Sequence, residues 1–463
     1  MSPSGGSTFM TSAPMSAINA AAEGAAKKLA TSTTRRFSSG NAIVEEFVPQ
    51  SCLFRHRIAI SRYLKGNSMD GPLAGIRVLE FTQLIMGPQC CQLLRDLGCE
   101  IIKIENPKSP DNSRHIPASE SNPAVPVFHA NNRGKRSLAL DFSKPEGMAI
   151  VRKLIQEADV LVGTLSPGAL DRAGLGYEVC RELNSRLIYA LGTTYGPEGP
   201  ESLKPGNDMM AQAFGGLAWN TGTPDTATGA GALVADTMGG MTLFGAIVSA
   251  LFSRERSGEG QMVETSLLGG QIWAQSSELM AHTLSGSDHP KIDRTYPWLS
   301  SISPISVYRT SDGYIALSGF GRAPWDQFWK AFGFDEIADN IPSRTERITK
   351  NAEFSEVMAE KFMSKTTSEL GEILDSVSAI WAPVNDYDAV VTSEQVLSSG
   401  YLRETSHPIY GQITSMGAPV RYSEGLPDPA DRAPELGEHS EEVLLELGYD
   451  WDQIELLKEQ SVI

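Results

Sequence analysis

Asp236 is the residue whose setting points most directly to chemistry. It lies in Gly231-Ala232-Leu233-Val234-Ala235-Asp236-Thr237-Met238-Gly239-Gly240, a lone carboxylate at the mouth of the apolar run Met241 to Leu251. Such a run reads as a buried helix whose first turn carries unpaired N–H donors and the positive end of the macrodipole, so an acid there is expected to stay ionised. Two readings fit. One is a helix cap, the common use of a carboxylate at such a position. The other is a nucleophile, because a fixed, ionised, partly desolvated carboxylate can attack an activated acyl carbon and hold it as a mixed anhydride. Spacing alone leaves both open.

Other chemistries find less support. The seven histidines show no HExxH and read as loop or exposed residues with surface or structural roles. The five cysteines, Cys52, Cys90, Cys91, Cys99 and Cys180, show no CxxC and no paired spacing, so neither a zinc site nor a disulfide framework is indicated. No P-loop or GxSxG elbow occurs, and Asp208, Asp225 and Asp236 do not assemble a Ser/His/Asp triad from spacing. No metal site is expected.

Composition bounds the rest. With 463 residues, 41% of them hydrophobic, the chain has length for two domains or more and can bury a large core. Its formal net charge of −17 argues against nucleic acid or an anionic membrane surface as the main partner. The longest apolar stretch, Met238 to Phe252, contains three Gly and is too short to cross a bilayer, so no membrane span is expected. The first 37 residues differ from all that follows: rich in Ser, Ala, Thr and Gly, they carry Lys27, Lys28, Arg35 and Arg36 against Glu23 alone. That composition reads as a presequence for the mitochondrial matrix, with Arg35-Arg36-Phe37-Ser38-Ser39 resembling a processing site cut after Phe37.

Residues 38–70 read as a connector, and the compact domain opens at Gly71. Ile76 to Glu80 is expected as a strand, Gly87 to Leu97 as an amphipathic helix ended by Gly98, and Glu100 to Glu105 as a second strand. A second such unit follows, with a capping-box start at Ser143-Lys144-Pro145-Glu146, a buried stripe of Met148, Val151, Leu154 and Ile155, and a strand at Asp159 to Val162. Arg186 to Leu191 adds another strand. Strands alternating with helices predict an α/β fold whose mainly parallel sheet is covered on both faces. A dinucleotide is not expected, since Phe81-Thr82-Gln83-Leu84-Ile85-Met86-Gly87-Pro88 offers one Gly where the fingerprint needs GxGxxG.

Five segments together resemble the class III coenzyme A transferases, the group typified by formyl-CoA and carnitine CoA-transferases and by alpha-methylacyl-CoA racemase. They are Gly75 to Thr82, Gly98 to Glu105, Asn131 to Asp141, Pro167 to Tyr177 and Ala433 to Ser440, in the family's order. The resemblance implies a large Rossmann-like domain (71–286), a smaller inserted α+β domain (287–390) and a return segment (391–463) completing the first. It also implies two subunits interlocked as a homodimer. In the smaller domain, Ile305 to Leu317 reads as a hairpin around Asp312-Gly313.

The resemblance places the family's nucleophilic aspartate at Asp236. Transfer would pass through an aspartyl anhydride and an aspartyl-CoA thioester, with a CoA thioester as substrate and no permanently bound cofactor. Arg172 matches an arginine near the CoA nucleotide, with an ordinary Asp171-Arg172 surface pair as the alternative. Leu140, Leu84 and Ile85 match positions lining the adenine or pantetheine path. Ile85 stands where the formyl-CoA branch has Gln, Asn106 where it has Arg, Thr164-Leu165 where it has Asn-Phe, and Thr295 to Ser301 replace its tetraglycine loop. Asp208 is assigned a supporting role at the acyl or pantetheine end, with helix N-capping as the alternative. The racemase branch needs a His where this chain has Asn207, and an amide cannot shuttle a proton. Racemase and a catalytically inactive acyl-CoA-binding dimer are the alternative functions. Ser303 to Leu317, Ala382 to Asn385 and Gly417 to Ser423 are most similar to the succinate-hydroxymethylglutarate branch. They imply succinyl-CoA as donor and a dicarboxylic acid as acceptor. Arg322 and Arg421 are candidate partners for a distal carboxylate, with ordinary surface arginines as the alternative.

Overall fold

Val78-Leu79, Ile101-Ile102, Val160-Leu161-Val162 and Ile188-Tyr189-Ala190 are runs with no polar face, which suit a sheet covered on both sides. In the computed structural model these runs form one parallel sheet. The structure describes residues 71–223, 225–285, 304–318, 324–427, 430 and 432–463, so the presequence and connector expected at 1–70 lie outside it. The strands are β1 (Arg77–Phe81), β2 (Glu100–Glu105), β3 (Arg136–Ala139), β4 (Val160–Gly163), β5 (Ile188–Thr193) and β6 (Met262–Ser266). Their spatial order is β3-β2-β1-β4-β5-β6, with every neighbouring pair parallel. The order reverses between β1 and β4, a Rossmann-like arrangement.

Successive residues on each strand face opposite sides. Leu79, Ile102, Leu161 and Tyr189 pack with Ile150, Val151, Leu154 and Ile155 of the helix Pro145–Glu157, joined by Val443, Leu444, Ile454 and Leu457 from the C-terminal helices Ser440–Glu446 and Trp451–Glu459. Val78, Ile101, Val160 and Ile188 pack on the other face with Cys90, Cys91 and Leu94 of the helix Met86–Asp96 and with Leu243, Ile247 and Leu251 of the helix Val234–Ser257. The C-terminal segment also bonds to the β3 edge: Ala139 N–H donates to Ser440 Oγ at 3.1 Å and Ser137 N–H to His439 Nδ1 at 3.2 Å. Cys90, Cys91, Cys99 and Cys180 are buried free thiols.

Three local expectations need correction. The box expected at Ser143 does not form: Lys144 is the N-cap, without a side-chain bond, and the Ser143 hydroxyl donates to Asp141 instead. In that helix Ile150 replaces Met148 in the fully buried stripe. The apolar helix is longer than its apolar run, 24 residues from Val234 to Ser257, enough by length and mean hydropathy to cross a membrane. It is instead the core helix of the second face. Its last turn contains Arg254, buried and ion-paired to Asp159 Oδ1 at 3.1 Å, and Gly258 ends it at φ +78°.

A third core lies in the later part of the chain. Strands β7 (Ile305–Arg309), β8 (Tyr314–Ser318) and β9 (Trp381–Pro383) form an antiparallel sheet, and the β7–β8 hairpin turns at Thr310 to Gly313 as expected. Tyr308, Ile315 and Leu317 pack there with Trp325, Phe328, Trp329, Phe354 and Phe362. A hairpin of β10 (Leu402–His407) and β11 (Gly411–Met416) precedes the return to the large sheet.

Candidate active site

Among the described residues, two cavities of similar size stand out, about 500 and about 540 Å³. Their chemistry separates them. The first gathers His129, His407 and Tyr410 beside Arg133 and Arg432, with no carboxylate in its lining. The histidine rings meet edge to face at 4.8 Å, and His407 Nδ1 accepts from the Ile409 and Tyr410 amides. Neither is the exposed residue expected: His407 is buried, His129 partly so, and burial lowers both imidazole pKa values.

The second cavity lies at the carboxyl ends of the strands, where the strand order reverses. Its lining comes from Gln83 to Met86 after β1, Thr164 to Pro167 after β4 and Gly192 to Thr194 at the end of β5, closed by Asn207, Asp208 and Asp236. In open α/β sheets this crevice is where ligands bind. Five of the site residues expected from sequence line it: Asp236, Asp208, Leu84, Ile85 and Thr164. Arg172 stands outside the lining, exposed, but its Nη1 donates to the carbonyl of Pro167 on the rim at 3.0 Å. Leu140 is placed elsewhere, its side chain fully buried in the first core. Asn106 donates to Asp141 Oδ1 at 3.2 Å. Arg421 is exposed, and Arg322 and Thr295 to Ser301 lie outside the described residues.

Asp236 is the third residue of its helix, which starts after Leu233 with no side-chain cap. The capping falls to its neighbour. Asp208 is 4% exposed in the first turn of the helix Asp208–Phe214; its carboxylate accepts from the Asp236 amide at 3.0 Å and from Gln212 Nε2 at 2.6 Å. Asn207 caps that shorter helix, accepting from the Met210 amide at 3.3 Å. The Asp236 side chain is thereby free of capping and faces the cleft. Burial, then the charge of Asp208, push its carboxyl up to about 6, and a hydrogen bond from the Met86 backbone amide opposes the rise. The acid is expected from sequence to stay ionised; burial outweighs the helix dipole, so it does so only above about pH 6.

The surrounding loops are held close. A Cβ on Gly87 would lie 2.5 Å from Thr164 Oγ1 and from Thr82 Cγ2, so only glycine lets the start of the helix Met86–Asp96 meet the β4 loop. Thr164 Oγ1 itself is buried in the lining without a hydrogen-bond partner, a polar group suited to a ligand atom. Leu84 takes a left-handed φ of +65°, unusual for a branched residue, with its amide bonded to Asp111 Oδ1 at 3.0 Å. Sequence reasoning missed Asp111 and the Met86 amide. A signal was present in Glu80 and Lys103, charges in the middle of otherwise apolar strands, which must be paired when buried. Among the described residues no cluster of His, Cys, Asp and Glu is arranged to hold a metal ion.

The chain is similar to known proteins over most of its length. The chain is 32% identical over 396 residues to a mouse succinyl-CoA:glutarate CoA-transferase, covering 85% of this chain and 90% of that one. It is 32% identical over 385 residues to a succinate–glutarate CoA-transferase of Agrobacterium fabrum, covering 81% and 96%. A crystal structure of a CAIB/BAIF family protein from Brucella suis superposes with a TM-score of 0.72 at 29% identity, over 82% of this chain and all of that one. The model of CoA-transferase family III matches residues 73–440, all six strands of the large sheet and the third core together, and the chain belongs to that family.

Proposed function

We propose that the protein moves CoA from succinyl-CoA to a free dicarboxylic acid, with Asp236 as the nucleophile. The observation that carries this reading is a half-buried carboxylate, relieved of capping by Asp208, in a cleft at the carboxyl ends of the parallel strands. An Asp236 oxygen attacks the thioester carbonyl, the C–S bond breaks, and a mixed anhydride and CoA thiolate result. The thiolate attacks the aspartyl carbonyl, releasing the donor acid and leaving an aspartyl-CoA thioester. The acceptor carboxylate displaces the thiolate to form a second anhydride, and the thiolate then takes the acceptor acyl group, restoring Asp236. Thioester energy is conserved throughout, so the exchange has no need of ATP.

Thr164 at the cleft and Arg172 beside its rim are read as CoA contacts, and Leu84 and Ile85 as the wall of the pantetheine path. The dicarboxylate assignment draws on the relatives named as glutarate transferases. A racemase reading is disfavoured because the side-chain oxygen of Asn207 is engaged as a helix cap. The division into 71–286, 287–390 and 391–463 is supported by the separate third core. A matrix location rests on the leader composition, and N-terminal sequencing of the native protein is expected to find Ser38 first; an intact Met1 or Ser2 would reject it.

The test of the reaction is incubation with succinyl-CoA and a panel of dicarboxylic acids, read by mass spectrometry for new acyl-CoA species. Asp236→Ala should bind CoA and transfer nothing. Hydroxylamine trapping of wild-type protein during turnover should tag the peptide containing Asp236. A tag on Asp208, or full activity in Asp236→Ala, would refute the mechanism.

A further inference from the structure

The segment from Thr82 to Pro88, the turn after β1 and the first residues of the helix Met86–Asp96, supplies one wall of the cleft. Its backbone is held from beneath by charged side chains that never reach the cleft. Lys103 Nζ donates to the Thr82 carbonyl at 3.1 Å, Asp111 Oδ1 accepts from the Leu84 amide at 3.0 Å, and Lys135 Nζ donates to the Pro88 carbonyl at 2.9 Å. These three groups belong to one network. Glu80 pairs with Lys103 at 3.1 Å and with Lys135 at 2.8 Å, while Lys103 also pairs with Asp111 at 2.9 Å. All four side chains are wholly removed from solvent, with two charges of each sign.

Such a network is a poor device for stability, since well-packed apolar residues do as well. Its geometry suits another purpose. It grips the turn and the first residues of the helix, and the residue of unfavourable φ, Leu84; two residues on is the Met86 amide, which faces the Asp236 carboxylate and favours its charged form. The same segment abuts the nucleophile's helix so closely that a Cβ on Gly240 would lie 2.8 Å from the Met86 carbonyl oxygen.

We propose that Asp111 is a positioning residue for the transfer reaction: with Lys103, Lys135 and Glu80 it fixes the Thr82–Pro88 turn so that the Met86 N–H meets the Asp236 carboxylate. This rests on Asp236 being the nucleophile. Asp111 touches neither substrate nor reacting atoms; it acts through Leu84 and Met86. Loss of its grip lets the turn relax from the left-handed Leu84 conformation, and Asp236 loses a donor that favours its charged, attacking form.

The test compares three variants with wild type for kcat, KM and the acid limb of the kcat/KM profile. Lys103→Met/Asp111→Leu removes one charge of each sign, so no net charge is left buried. It is expected to fold, to keep KM for the CoA donor within about threefold, to lose about 10- to 100-fold in kcat, and to show its acid limb at higher pH. Asp111→Asn retains a neutral acceptor for Leu84 and should show smaller changes of the same sign. A folded double variant with wild-type kcat overturns the proposal, and so does a lower kcat with an unmoved acid limb, the mark of general loosening. Should the double variant not fold, Asp111→Asn decides alone, and an unmoved limb there overturns it. Asp236→Ala runs in parallel: if it is dead while the double variant is normal, only the positioning role fails, whereas full activity in Asp236→Ala removes the nucleophile reading itself.

Discussion

A carboxylate that attacks must be charged, and the surroundings of Asp236 pull against that. The helix macrodipole favours the anion by about 0.3–1 kcal/mol, less than one pKa unit. Burial and Asp208 raise the group from 3.8 to about 6, roughly 3 kcal/mol the other way, so burial wins. The result suits the chemistry, because a more basic carboxylate is a better nucleophile and a pKa near 6 still leaves it mostly ionised above neutrality. Transfer activity should therefore fall on acidification with an apparent pKa near 6, which the pH dependence of kcat/KM, a report on the free enzyme, measures. Stability follows the opposite course. A raised folded-state pKa gives a contribution present below the unfolded value of about 4 and lost as pH rises through about 6. At pH 7.5 the ionised group is a liability, and Asp236→Asn, which keeps an acceptor for Met86, should be more stable than wild type by about 1–3 kcal/mol while catalytically dead. Urea unfolding at equal protein concentration checks this, and the gain should shrink as pH is lowered through 6. A variant less stable than wild type at pH 7.5 would mean that Asp236 supports the fold.

At the scale of elements, the strands were the most legible part, because apolar runs such as Val160 to Val162 and the Asp-Gly turn after β7 state their conformation locally. The site was legible only where side-chain chemistry sits in the sequence. Asp236 could be singled out, whereas the reassignment of capping to Asp208, 28 residues away, depends on two helices meeting, which no local pattern encodes. Leu84 shows the same limit: its left-handed backbone is imposed by Asp111 from a distant loop, and a leucine gives no warning of it. Glycines mark where elements must close. A Cβ on Gly270, in the helix Leu267–Ala274, would lie 2.7 Å from Gly239 N and from Met238 C, backbone atoms that cannot move aside. Gly270→Ala is expected to cost about 1–3 kcal/mol through overpacking. Because Gly239 is one turn from Asp236, a displacement of about 1 Å should also lower kcat by up to about 100-fold. Denaturant midpoints together with kcat test this, and a variant unchanged in both would show that the two helices can separate without consequence.

For the whole molecule, the informative surface is apolar. The helices around the cleft expose large side chains: Phe214 and Trp219 before the long helix, Phe252 within it, and Trp273 at 72% and Leu284 at 81% after it. The long helix, expected from sequence to be buried, has one face on the sheet and another bearing Met241 and Phe252 outward, the kind of apolar exposure that a partner covers. Hydropathy alone could not separate a helix buried in its own chain from one covered by a partner, since both read as continuous apolar sequence. A second copy of the chain is the partner that the family resemblance implies, and threaded subunits would make folding and association one process. The protein is then expected to remain a dimer on dilution until it unfolds, with an unfolding midpoint that rises with protein concentration; light scattering and denaturation over a wide concentration range measure both. Trp273→Glu replaces one of these exposed apolar side chains with a charge and should give aggregated or unfolded chains, because a separated subunit would leave its apolar side chains uncovered. A soluble, folded and active Trp273→Glu monomer would show that the exposed helices serve something other than self-association.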